Sequence, residues 1–319
     1  MLRLLRSLRF TRTALALVSV GGAILWPACT EAYVRDGETH MDVPRMVLES
    51  QTSPDVASAW LVTCLMFREE GNLKLALKAC DRAVALDRED PAAFRLRGDI
   101  LLKLGEAERA VIDYAELTEL QKDEPSAYQL RGFALLALHK TRDAFKDFDF
   151  AIRLRPHDST GYFVRGSAHE AIADYTPAIQ DFGTAIALAP KDDEAWNARC
   201  WTRTIANREL SAALADCREA VRLAPDSAVA LNSLGFVYLR LDRAHEACGA
   251  FDRALGRSPQ LALSLFGRGI AELRQGDLAA GKKDFRAAKS FEPGIEKYLA
   301  RFGFRQSAPQ APTVGGRVT

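Results

Sequence analysis

Six cysteines and five histidines carry the widest chemical repertoire in this chain of 319 residues, and their spacing decides what chemistry is open to them. His40, His139, His157, His169 and His245 are scattered, and no two stand at metal-ligand spacing. A metal or nucleophilic site needs side chains that converge. Asp and Glu are plentiful, but their spacing follows solvated helix faces, not facing pairs suited to acid–base work. No Gly-rich phosphate loop occurs. Catalytic residues, metal ligands and cofactors are therefore not expected. The cysteines are more orderly. Cys64 and Cys80 stand 16 residues apart and Cys200 and Cys217 stand 17 apart, while Cys29 and Cys248 are isolated.

The elements that position these residues are legible from Pro125 to Asp158. Apolar residues recur every three or four positions through Tyr128, Leu130, Phe133 and Leu136, and after a break through Ala144, Phe145, Phe148 and Ile152. That is the period of two amphipathic helices joined by a short turn. At a step of 34 residues, once 35, the stretch finds copies of itself: a small residue stands at Cys64, Gly98, Gly132, Gly166, Cys200, Gly235 and Gly269. A second small column runs Ala76, Ala110, Ala144, Ala178, Ala213, Ala247 and Gly281. Large residues precede the first at Trp60, Phe94, Tyr128, Tyr162, Trp196, Leu231 and Leu265. If each copy is counted from its own first residue, these columns are positions 8, 20 and 4. Small residues there let helix axes approach to the near end of the usual 8–10 Å.

The period and signature positions resemble the tetratricopeptide repeat family, over about three quarters of the chain, Ala57 to Ile295. The resemblance implies an all-α fold, a right-handed α-solenoid or superhelix of seven helix-turn-helix repeats. Their bounds are 57–90, 91–124, 125–158, 159–192, 193–227, 228–261 and 262–295. One repeat cannot bury its apolar face alone, so neighbours must stack. The extra residue of the fifth repeat falls in the turn Asn207 to Ser211. Residues 33–56 read as a polar linker or N-terminal cap, with a short helix possible only at Arg45 to Gln51. Residues 296–304 read as a capping helix and 305–319 as a disordered tail.

Residues 1–32 differ in kind. Arg3, Arg6, Arg9 and Arg12 precede the charge-free run Ala14 to Ala28, and small residues follow at Thr30 and Ala32. This has the three parts of an export signal. The alternatives are an uncleaved anchor, its apolar run just short of the roughly 20 residues that span a bilayer, or a mitochondrial presequence. Cys29 is either lipidated after cleavage or discarded with the signal. Net charge is +1, so no basic face for nucleic acid is implied.

Cys64 and Cys80 occupy positions 8 and 24 of the first repeat, and Cys200 and Cys217 the same two of the fifth. In an antiparallel pair whose turn centres near position 16, these positions face each other at equal height. Helices about 8.5 Å apart bring the facing Cα atoms to roughly 4–6 Å, within disulfide reach. Elsewhere position 24 holds Tyr114, Phe148, Phe182, Phe251 or Phe285. Two disulfides are expected on export to an oxidising compartment; the alternative is cysteine used as a small buried residue.

The resemblance further implies that positions 5 and 9 of each first helix line a concave groove that meets the partner. Carried onto this chain, the partner-binding residues are Arg95, Phe133, Phe163, Asn197, Trp201, Asn232, Phe236, Phe266 and Ile270. The other reading is that these rings pack against one another between repeats. The carboxylate clamp of some relatives, Lys and Asn at positions 5 and 9, is missing. The function implied is a non-catalytic protein-interaction scaffold binding a protein or peptide segment. Its expected place is the bacterial cell envelope, periplasmic or secreted. Membrane contact would come only through an uncleaved or lipidated N-terminal segment. The alternative is an intracellular or organellar adaptor, membrane-anchored or mitochondrial.

Overall fold

The computed structural model describes residues 32–35, 38–41 and 54–306. The N-terminal run through Glu31, the stretch Arg45 to Gln51 and the tail beyond Gln306 lie outside the described residues. Two short strands, β1 (Ala32–Arg35) and β2 (Glu38–Met41), pair antiparallel with Tyr33 opposite His40. This stretch reads as a linker because four residues per strand are too few for alternation to show.

The helices fall into two compact units divided between Leu154 and Arg155. The first holds α1 (Pro54–Glu69), α2 (Leu73–Leu86), α3 (Pro91–Leu104), α4 (Ala107–Leu120), α5 (Pro125–Ala137) and α6 (Thr141–Leu154). The second holds α7 (Ser159–Ala171), α8 (Tyr175–Leu188), α9 (Asp193–Ile205), α10 (Leu210–Leu223), α11 (Ala228–Arg240), α12 (Ala244–Arg257), α13 (Ala262–Arg274), α14 (Leu278–Phe291) and the short α15 (Ile295–Ala300). The fold is all-α: among the described residues α1 to α14 form seven antiparallel pairs, and within each unit a second helix packs on the first helix of the next pair.

The pairs begin and turn alike because the same local chemistry recurs. Asp90, Asp158, Asp192 and Ser227 each accept a backbone N–H at a first-helix N-terminus, which satisfies an otherwise orphaned donor. Every turn closes with an N–H reaching back five residues: Asn72 to Phe67, Glu106 to Leu101, Lys140 to Leu135, Asp174 to His169, Arg208 to Arg203, Arg243 to Tyr238 and Asp277 to Glu272, at 2.8–3.0 Å. That bond needs a left-handed residue at position 15. Glycine takes it at Gly71, Gly105 and Gly276, but His139, Ala173, Asn207 and Asp242 adopt it too, with φ of 53–62°. In the longer fifth repeat Glu209 is also left-handed, φ 49°, and the extra residue lies in that turn.

Position 8 is small because of position 24. A methyl group at Gly98 would lie 2.7 Å from the Tyr114 ring, at Gly132 2.8 Å from Phe148, and at Gly235 2.5 Å from Phe251. Where position 8 is cysteine, the ring is replaced by sulfur. Cys64 is bonded to Cys80 and Cys200 to Cys217, with Cα atoms 5.4 and 5.3 Å apart. Cys248 is the free thiol among the described residues; Gln275 Nε2 donates to its sulfur, and burial raises its pKa to about 11.

A facing pair of charges, not expected from spacing, joins most of the helix pairs. Arg97, Arg131, Arg165, Arg199 and Arg268 at position 7 donate through Nε and Nη2 to both oxygens of Asp113, Asp147, Asp181, Asp216 and Asp284, at 2.6–3.0 Å. The aspartates are buried, so these acids do not belong to solvated faces. The bidentate fork fits a planar carboxylate. In repeats two to five, the position-4 ring lies 5.1–5.8 Å from the guanidinium carbon, within cation–π range. The two repeats without the pair lack both members at once: Thr63 with Ala79, and Leu234 with Ala250.

Repeat six therefore supplies an apolar alternative to test in repeat three. Asp147→Ala alone leaves Arg131 half-buried and unpaired, and should cost about 2–3 kcal/mol, somewhat less than the roughly 3–5 of a fully buried pair. Arg131→Leu with Asp147→Ala should regain most of that loss in urea unfolding. A double variant no more stable than the single would show that the apolar pair cannot replace the charges.

Candidate functional site

In the first unit the first-helix face carries Leu61, Leu65 and Arg68 from α1, Arg95, Asp99 and Lys103 from α3, and Gln129 and Phe133 from α5. Helical spacing of four residues brings each set to one side. Tyr114 crosses over Gly98, and its hydroxyl donates to Asp99 Oδ1 at 2.7 Å. Burial raises the Asp99 pKa, while the Tyr114 hydrogen bond and the cations Arg95, Arg68 and Lys103 act to lower it. Phe133 is half-buried, its ring edge-on to Phe148 with centroids 5.1 Å apart. By register this face carries an apolar ring on α5 and, on α3, Asp99 with the cations that act on it.

The second unit does not leave the expected residues open. Phe236 and Phe266 are 0% exposed, Ile270 1% and Asn232 4%, so these four are buried in the folded chain and not open to a partner as it stands. Asn232 Oδ1 accepts from Ser264 Oγ at 2.9 Å, and Phe266 packs on Phe285. The physical reason lies in the neighbouring first helices, which pack directly on one another from α9 through α13, and in the chain after α14. Ile295 and Leu299 of α15 are fully buried in the same cluster as Phe266 and Ile270. Phe304, 3% exposed, lies 4.8 Å from Phe236 centroid to centroid, and Phe302 lies 6.5 Å from Trp201. Trp201 and Phe163 remain half-buried, the latter against Phe182 at 5.5 Å. Asn197 is also half-buried, and its enclosed Oδ1 has no hydrogen-bond partner among the described residues.

No three His, Cys, Asp or Glu side chains among the described residues converge as metal ligands, and no described helix is long and apolar enough to cross a membrane. A family model described as tetratricopeptide repeat matches residues 67–125, 130–193, 202–262 and 232–294, more than half of the chain. The chain belongs to the tetratricopeptide repeat family. Members of this family are generally non-catalytic scaffolds that bind proteins or peptides. No curated protein matches the chain in sequence.

Similar solved structures include yeast Tom70, with 16% identity and a TM-score of 0.63 over 81% of this chain and 55% of that one. A tetratricopeptide repeat protein from Parabacteroides merdae has 17% identity and a TM-score of 0.59, over 77% of this chain and 98% of that one. The APC/C hetero-tetramer Cut9-Hcn1 has 17% identity and a TM-score of 0.52, over 67% of this chain and only 42% of the other. At such identities the likeness is one of fold alone.

Two acids of the second unit hold their protons unusually tightly. Burial pushes Glu170 up to about 7 against the Thr202 hydrogen bond. Thr202 Oγ1 is in hydrogen-bond contact with both Glu170 Oε2 and, at 2.8 Å, Ala198 O. A hydroxyl has one proton to give, so both contacts are satisfied together when Glu170 carries a proton. Glu272 is likewise pushed up to about 7, first by burial and then by Asp284, although Arg268 lies 3.9 Å away.

The usual value for these acids is 4.5. Between 4.5 and about 7 the folded chain therefore binds more protons than the unfolded chain, so this contribution to stability is full at low pH and is lost as pH rises through 7. Burial lowers the His169 pKa and acts in the opposite sense, so the test is a difference: between pH 5 and pH 8 the melting temperature of Glu170→Gln should fall less, or rise more, than that of the wild type in calorimetry. An unchanged slope in the variant would remove Glu170 as its source.

Proposed function

We propose that the chain is a non-catalytic scaffold of the bacterial cell envelope, exported to the periplasm or secreted, that holds a segment of another protein on the first-helix face of its first three repeats. The observation that carries this reading is the half-buried Phe133 ring at a register position that in the preceding repeat holds Asp99 with Arg95 and Lys103 near it, on a face where an ordinary solvated helix would be polar. The segment it suits is extended or helical, with an apolar anchor for Phe133 and an acidic residue for the cations.

The cysteines support export over an intracellular or organellar adaptor. Both pairs are completely buried and bonded, and structural disulfides persist mainly in oxidising compartments. The arginine-led N-terminal segment with its charge-free run points the same way.

Peptide mapping of protein from the native cell, without reduction, should recover Cys64 joined to Cys80 and Cys200 joined to Cys217, with the N-terminus beginning near residues 28–32. Four alkylatable thiols and an intact Met1 would sink the export reading. For the partner face, crosslinking in the native cell should compare wild type with Arg95→Glu, Phe133→Ala. The double variant should keep its melting temperature within a few degrees and lose partner capture by roughly thirtyfold. Equal capture by a folded double variant would move the binding site elsewhere.

A further inference from the structure

The chain that follows α15 is seated like a peptide ligand. Gly303 is left-handed, φ +78°, and it lets Gly303 N donate to Ala300 O at 3.0 Å and Phe304 N to Leu299 O at 3.1 Å. The turn places the Phe302 and Phe304 rings on Trp201 of α9 and Phe236 of α11 respectively. Arg240 joins both ends of the arrangement. Its guanidinium stands 4.1 Å from the centre of the Phe304 ring, Nη2 donates to the Phe302 carbonyl, and Nε donates to Thr204 O at 3.1 Å. Among the described residues no carboxylate pairs with this half-buried cation, so its charge is met by two carbonyl dipoles and a ring face.

The anchorage of the C-terminal segment is graded. Ile295 and Leu299 are fully buried and tie α15 into the core; beyond them Phe304 is 3% exposed and Phe302 half-buried, while Arg301, Gly303 and Arg305 are exposed. Beyond α15 the hold consists of two rings, one cation and the turn that Gly303 permits. Such a segment opens locally at far lower cost than the helices beneath it.

We infer that α9 and α11 form a site for a Phe-Gly-Phe peptide segment, and that this chain's own Phe302-Gly303-Phe304 fills it as a releasable latch. The rings supply affinity, the Arg240 contact to a backbone carbonyl sets the register, and the left-handed turn makes glycine the residue between the rings. The same site accepts an equivalent segment in trans once the latch is withdrawn. This is independent of the face in the first three repeats, so the two readings fail separately.

The test uses the full chain with Phe302→Ala and Phe304→Ala, which keeps Ile295 and Leu299 in place, and a fluorescein-labelled peptide of residues 300–306. Fluorescence anisotropy should show the peptide binding the double variant at least about tenfold more tightly than it binds the wild type, whose site is filled. A peptide with both phenylalanines changed to alanine should not bind, and adding Arg240→Met to the variant should weaken binding. A folded double variant that does not bind the peptide, or a wild type that binds it equally, would overturn the inference. Amide hydrogen exchange on the unmodified protein gives a second reading that does not depend on the variant folding. Gly303 and Phe304 should exchange at least about a hundredfold faster than the protected amides of α13. Exchange at the α13 rate would mean the segment is fixed core.

Discussion

How closely two antiparallel helices approach at position 8 governs the rest of each repeat. At that height the second helix presents a ring, and the ring lies where a side chain of the first helix would otherwise be. Glycine is therefore required beneath Tyr114, Phe148 and Phe251. The disulfides answer the same constraint differently, replacing both the empty place and the ring with two sulfurs at Cα separations of 5.3–5.4 Å. A repeat can thus be stapled without changing how it stacks. In the chain-entropy account each short loop gains about 3 kcal/mol.

The contact also aims its neighbours. In Arg97-Gly98-Asp99, the glycine lies under Tyr114, the residue before it reaches Asp113, and the residue after it accepts from the Tyr114 hydroxyl on the open face. Arg131-Gly132-Phe133 repeats the arrangement with a ring as the third member. Arg97 and Arg268 also reach back to Asp81 at 3.2 Å and Asp252 at 2.7 Å in the preceding repeats. Such pairs add little net stability once desolvation is counted. Their geometry is nevertheless demanding, since a helix shifted by one residue loses both hydrogen bonds. Their small net contribution is consistent with repeat six, which has Leu234 and Ala250 at these positions and keeps its place in the stack.

The pairs, their turns and the small columns were legible because each repeats at one period, and periodicity survives individual exceptions. Three things were not. The aspartates of the ion pairs sit among ordinary polar residues, and only pairing across helices sixteen or seventeen residues apart distinguishes them. Left-handed geometry at His139 and Ala173 goes against local preference; the repeat imposes it. The groove failed for a different reason: register says which positions turn inward, not what lies over them. Asn232, Phe236, Phe266 and Ile270 are buried, some by neighbouring first helices and Phe236 also by Phe304.

That cover carries its own signal, which a search by period cannot register. A stack of helix pairs ends on an apolar surface that must be closed, and Ile295 and Leu299 are fully buried against it. The chain nevertheless continues through a left-handed glycine that turns the next ring back onto Phe236, beside a cation that has no carboxylate among the described residues. Capping does not require a half-buried arginine, and a cation left without acceptors away from water is strongly unfavourable; Arg240 is met by the Thr204 carbonyl on one side and the Phe302 carbonyl on the other. Arg240 is therefore better explained by the segment it holds than by the helix it belongs to.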